Sequence, residues 1–131
     1  MSTPTRPAIV PATVQALNRI RCDRWHPPTD DDWTLGDWSN AFMGEAGELA
    51  NVVKKLRRHA SGAAQAYNTP SVQALRDSFA EEVADVRLYL DLLCWKAGVD
   101  DAALDEALIA KFDRVSIAQG WTDLVIGEVA S

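Results

Sequence analysis

Two glutamates stand three residues apart in GEAGELANVVKK, residues 44–55, within what the spacing marks as the buried face of a helix. At about 100° per residue, Glu45 is in phase with Leu49, Val52 and Leu56, and Glu48 lies beside them. A second pair, Glu82 and Asp85, falls in EEVADVRLYLDLL, close in phase to Tyr89 and Leu93. Arg87 and Asp91, one turn apart, are expected to mark the solvent side of that helix, opposite the acids. Lone carboxylates on an apolar face are costly, and four of them in one core would repel one another and lose their hydration. Hard divalent cations with oxygen ligands remove both penalties; Mg2+ is the usual choice, with Mn2+ as a substitute. A single ExxE is common and usually solvated, and Glu81, off the line of Glu82 and Asp85, is of that kind. Two in-phase pairs are much rarer.

Metals held this way lower the pKa of an attacking water. His26 and His59, the two histidines, do not form the ExxH pairs of a di-iron bundle, so redox iron is not expected. No Ser–His or Cys–His arrangement that would supply a covalent nucleophile stands out. If the acids hold metal for a hydrolysis, as the resemblance below implies, any of the four could orient the water, and Glu48 is the candidate.

The elements that must position these acids are helices. Pro4, Pro7 and Pro11 make residues 1–11 an irregular arm, and Pro11 suits the first turn of a helix that carries Val14, Leu17, Ile20 or Arg21, and Arg24 at helical spacing. His26–Asp32, HPPTDDD, ends it. A second helix is expected from about Trp38 to His59, with Thr34 or Asp37 as its cap. Residues 60–69 are small, polar and aperiodic, and are expected to form a mobile loop near the mouth of the acidic site. Thr69 and Pro70 predict the start of a third helix running to Lys96, stopped by Gly98. Asp100 or Asp101 caps a fourth, which Gly120 ends; residues 121–131 form a tail, read as a short strand or an ordered arm. The class is all-α.

Composition sets the outer bounds. The chain has 131 residues, enough for one domain with a sizeable core, and 47% apolar against 24% charged residues is ordinary for a globular protein. A formal charge of −6 argues against nucleic acid as a partner, since a phosphate backbone needs a basic surface. Cys22 and Cys94 read as buried hydrophobes of a reduced chain. No apolar run suggests a signal peptide or a membrane span, so no membrane partner and a cytoplasmic location are expected.

Three segments, GEAGELANVVKKLRR, EEVADVRLYLDLL and AKFDRVSIAQG, resemble the MazG-like nucleotide pyrophosphohydrolases of the all-α NTP pyrophosphatase superfamily, which includes dCTP pyrophosphatases and dimeric dUTPases. The resemblance covers roughly residues 12–120, the expected catalytic domain, and rests on the ordered set ExxE, ExxD and Lys. It implies a four- to five-helix bundle, assembled as a homodimer or as a dimer of dimers. It implies Glu45, Glu48, Glu82 and Asp85 as ligands of Mg2+ ions, and a nucleoside triphosphate cleaved between its α and β phosphates into monophosphate and pyrophosphate. The interval from Asn51 to Glu81 is long for that family, and the 60–69 segment accounts for it.

Lys55 is close in phase to Glu48, and Lys111 interrupts the stripe of Leu104, Leu108 and Val115 where the family carries a lysine. Both suit charge developing on phosphate oxygens, although lysines also pack their stems along apolar surface. Lys54 and Arg58 read as a solvated charge run. Among five tryptophans, Trp25 precedes the first acidic helix, and Tyr89 matches an aromatic position near the base in related dCTP pyrophosphatases. Trp25 and Tyr89 are the candidate base contacts; core packing is the alternative for each. Two other functions stay open: hydrolysis of another pyrophosphate compound such as phosphoribosyl-ATP, and a non-catalytic helical adaptor, which would have no use for four acids.

Overall fold

The computed structural model describes residues 10–30 and 32–127, so most of the N-terminal arm lies outside the described residues. Four α-helices follow in order: α1 (Ala12–Trp25), α2 (Leu35–Ala60), α3 (Val72–Lys96) and α4 (Asp101–Ala118), then a 3-10 turn at Thr122–Leu124. No strand occurs among the described residues: the described part of the tail, 121–127, holds a helical turn where a strand was one expectation, and 128–131 lie outside the described residues. No described helix is long and apolar enough to cross a membrane. The chain divides into two compact units, one ending at Ala97 and the other beginning at Gly98.

In the first unit, α2 and α3 form a long hairpin whose strictly opposed direction can be read from its contacts. Trp38 meets Leu92 in the core, Lys96 lies over the Trp38 ring at 5.3 Å, and at the other end His59 Nε2–H donates to Pro70 O at 2.6 Å. Thr34 and Asp37 form a reciprocal capping box, which starts α2 at Leu35, three residues before the expected Trp38. The end of α2 is a Schellman turn: Gly62 N–H donates to His59 O and Ala63 N–H to Arg58 O, with Gly62 at φ +79°. Its left-handed backbone is where glycine is needed.

The expected start of α3 at Thr69 and Pro70 is corrected to a Ser71 cap, whose Oγ accepts from Ala74 N–H at 3.1 Å. Thr69 N–H is bound to Ala64 O, and the His59 hydrogen bond holds the Pro70 carbonyl, so both residues close the loop instead of opening the helix. The loop sits about 18 Å along α2 from Glu48, at 1.5 Å per residue. Arg58 lies over the Tyr67 ring at 4.7 Å within it. The expectation that it borders the acids is therefore not met.

Burial on α1 reverses the simplest reading of its pattern. Asn18 and Cys22 are buried, whereas Val14, Leu17 and Ile20 are exposed, Leu17 to 60%. The polar side faces α3 because α3 carries Asp91 there, only 8% exposed. The Asp91 carboxylate accepts from Gln15 Nε2 at 3.0 Å, Asn18 Nδ2 at 3.4 Å and Arg19 Nη2 at 3.0 Å. Asp91 thus does not mark a solvent face, and Arg87 is only half-exposed. Beside this polar cluster, Cys22, Trp38 and Leu92 make the apolar core, with Leu93 and Trp95 packed against it. Cys22 is buried and Cys94 half-buried, and neither is in a disulfide.

In the second unit, Asp100 caps α4 through Ala103 N–H at 2.8 Å. A Schellman turn ends α4, with Trp121 N–H donating to Ser116 O and Gly120 N–H to Ile117 O. The carboxylate of Asp113 ties the tail back to α4, accepting from Ile126 N–H at 2.7 Å and Gly127 N–H at 2.8 Å. Leu104, Leu108, Phe112 and Val115 are exposed along this helix.

Candidate metal and ligand site

Because α2 and α3 run antiparallel, the middle of one helix meets the middle of the other, and both acidic pairs lie there. One carboxylate oxygen from each of Glu45, Glu48 and Glu82 can be chosen so that all three lie within 4.8 Å of one another. Glu45 and Glu82 are half-buried and Glu48 is exposed. Asp85 is outside that triplet but lines one cavity with Glu45.

The electrostatics record the crowding. Burial raises the Glu45 carboxyl above the ordinary glutamate range, and the charges of Asp85, Glu48 and Glu82 raise it further. Glu82 is raised in the same way, by burial first and then by Glu48 and Asp85. Its Oε2 is enclosed and has no hydrogen-bond partner. An enclosed carboxylate oxygen without a donor is a costly group, and one oxygen from each of the three glutamates could together hold a hard divalent cation.

A cavity of about 240 Å³ adjoins the acids, bounded by all three helices of the first unit. Arg21, Trp25, His26, Glu45, Asp85 and Tyr89 contribute to its wall. Its wall combines acidic and aromatic side chains. Trp25 is 64% exposed, with the Arg21 guanidinium over its ring at 5.0 Å. Burial, then the charges of Glu45 and Asp85, push the Tyr89 phenol above its ordinary pKa, while Arg21 acts in the opposite direction. Both aromatics expected at a base site thus share a cavity with two of the expected ligands.

The two lysines fare differently. Lys55 is half-buried on α2, two turns beyond Glu48. Lys111 is exposed on α4 and belongs to the second unit. Neither contributes to the cavity wall.

Asn18, Arg21 and His26 also line the wall, a placement that their spacing in the sequence does not indicate; Asn18 and Arg21 lie on the polar side of α1. The available signal was Asp91 itself, an acid within the apolar run LYLDLL, which requires buried donors on a neighbouring helix. His26 packs with Trp33 and Trp38, ring centroids 4.5 and 5.2 Å away, so its place in the HPP segment concealed a packing role. In comparisons with known proteins, the chain matches no family model, no curated sequence and no solved structure.

Proposed function

We propose that this protein is a Mg2+-dependent nucleoside triphosphate pyrophosphohydrolase of the MazG-like kind, cleaving the α–β phosphoanhydride to monophosphate and pyrophosphate. The observation that carries the proposal is the convergence of Glu45, Glu48 and Glu82 from two helices, with one Glu82 oxygen enclosed and unsatisfied, beside a cavity lined in part by aromatics. Glu45, Glu48, Glu82 and Asp85 would hold the metal. When bound, divalent ions neutralise phosphate charge and make water a competent nucleophile at neutral pH.

The chain's own groups then divide the work. Glu48, the exposed member of the triplet, is accessible to solvent and is assigned to orient the attacking water and take its proton. Trp25 and Tyr89 offer faces against which a nucleobase stacks. Lys55 and Lys111 are assigned to phosphate oxygens; an assembled protein is the context in which Lys111 would act. The exposed apolar residues Val14, Leu17 and Ile20 on α1, and Leu104, Leu108 and Phe112 on α4, support assembly into a homodimer or homotetramer.

The test is a panel of NTPs and dNTPs incubated with the full chain and Mg2+ or Mn2+, with products separated by anion exchange. Monophosphate and pyrophosphate in equal amounts are expected. Diphosphate with inorganic phosphate, or no turnover of any member with either metal, would overturn the assignment.

A further inference from the structure

The buried cluster at Asp91 has a second end, and it opens on the cavity. Asn18 Nδ2 donates to Leu88 O at 3.1 Å and to Asp91 Oδ2, which leaves Asn18 Oδ1 as an acceptor. Arg21 Nη2 donates to that Oδ1 at 3.1 Å. The amide orientation is thereby set from both sides: two oxygens face its nitrogen and a guanidinium faces its oxygen. Asp91 is itself held by Gln15 and Arg19. A chain of contacts thus runs from a buried acid through a buried amide to an exposed arginine in the cavity wall.

Arg21 is held on the other side by Trp25, whose ring lies 5.0 Å from the guanidinium. Trp25 and Tyr89 line the wall with it, and Glu45 and Asp85 line the same wall from α2 and α3. Trp38, another wall residue, carries a buried indole N–H without an acceptor. Arg21 and the Trp38 indole are thus donor groups of the wall, and a ligand that pairs with Arg21 must bring acceptors. A guanidinium has only donors, in a planar fork that matches two adjacent acceptors.

We propose that Arg21 is the specificity-determining residue of the cavity. It reads a heteroaromatic base with two adjacent acceptors, and Asn18, fixed by Asp91, is its positioning residue. This rests on the reading of the cavity as a nucleobase site. Cytosine presents O2 beside N3, and guanine presents O6 beside N7. Adenine sets an amino donor beside each of N1 and N7, and thymine sets an N–H between its two carbonyls, so neither completes the fork.

The test measures binding and does not depend on turnover. Quenching of intrinsic tryptophan fluorescence in the full chain is titrated with dCMP, dGMP, dAMP and dTMP in Mg2+ buffer. Wild type is expected to bind dCMP or dGMP on the order of tenfold more tightly than dAMP and dTMP, the discrimination of one bidentate pair. Arg21→Gln should bring all four within about twofold of one another, and Arg21→Lys should do the same, because the charge remains and the fork is lost. Asn18→Ala, with Arg21 intact, should also flatten the preference, a readout that mere loss of packing would not move. A uniform weakening across the four nucleotides in Arg21→Gln would make Arg21 a phosphate contact and overturn its role. An unchanged preference in both Arg21 variants would overturn it as well. Failure of wild type to bind any of the four would instead remove the nucleobase reading on which it rests.

Discussion

The α3 helix carries acids on two faces, and their surroundings differ in kind. On the face toward α1, Asp91 accepts from Gln15, Asn18 and Arg19, and its charge is paired with Arg19 at 3.0 Å. On the face toward α2, Glu82 meets Glu48 and Glu45, and one of its oxygens has no partner at all. Both positions withdraw a carboxylate from water. Only the first supplies the donors that burial requires. Asp91 is thus satisfied as a structural element, whereas Glu82 keeps an enclosed oxygen without a donor among acids that could hold a cation. The contrast separates a satisfied acid from an unsatisfied one without appeal to sequence spacing.

The largest effect that can test the contrast is on catalysis. Glu48→Gln or Asp85→Asn should lower kcat on the order of a thousandfold, equivalent to about 4 kcal/mol of barrier, while the circular dichroism of the helices is unchanged. Turnover by either variant at the wild-type rate in metal-free buffer would place these acids with the solvated majority. On the other face the effect falls on stability. Asp91→Ala leaves Arg19, whose side chain is 27% exposed, beside Asn18 and Gln15 without their common acceptor. A loss of about 3 kcal/mol in urea unfolding at pH 7 is expected, toward the lower end for a broken buried pair because Arg19 still reaches solvent. A loss below about 1 kcal/mol would show that the cluster behaves as a surface ion pair.

Much of this architecture was legible in the residues. The capping pair Thr34 and Asp37, the cap at Asp100 and the glycine after α4 each carry a local hydrogen-bonding reason, and each acts where that chemistry puts it. The acidic pairs were legible for the same kind of reason: three residues on one helix keep two carboxylates on one face. The polar side of α1 was not legible from α1 alone. Periodicity finds an apolar stripe and assigns it inward, yet Val14, Leu17 and Ile20 face outward because Asp91, some seventy positions away in the chain, draws Asn18 and Arg19 to the interior. That is a tertiary demand, and it decided the orientation. The Thr69 start failed for a related reason, since His59 and Ala64 hold the Thr69–Pro70 backbone in the loop.

The smallest expected effect is also the most discriminating, because it asks one acid directly which kind it is. Glu82→Gln keeps the size of the side chain and removes its charge. In the metal-free fold the Glu82 carboxyl is raised above its ordinary range by burial, then by Glu48 and Asp85. For an acid raised on folding, the native state binds more protons than the unfolded chain between the two pKa values, so stability falls as pH rises through that interval. Below the ordinary glutamate pKa of about 4.3 the penalty is absent, since the group is protonated in both states. In chelator at pH 7, Glu82→Gln should therefore melt a few degrees above wild type, and the difference should vanish as the pH is lowered past that value. Added Mg2+ should reverse the order, because wild type gains by ligand linkage and the variant has lost one ligand. Were Glu82→Gln less stable than wild type in chelator at pH 7, Glu82 would be a satisfied acid like Asp91, and the two faces of α3 would no longer differ.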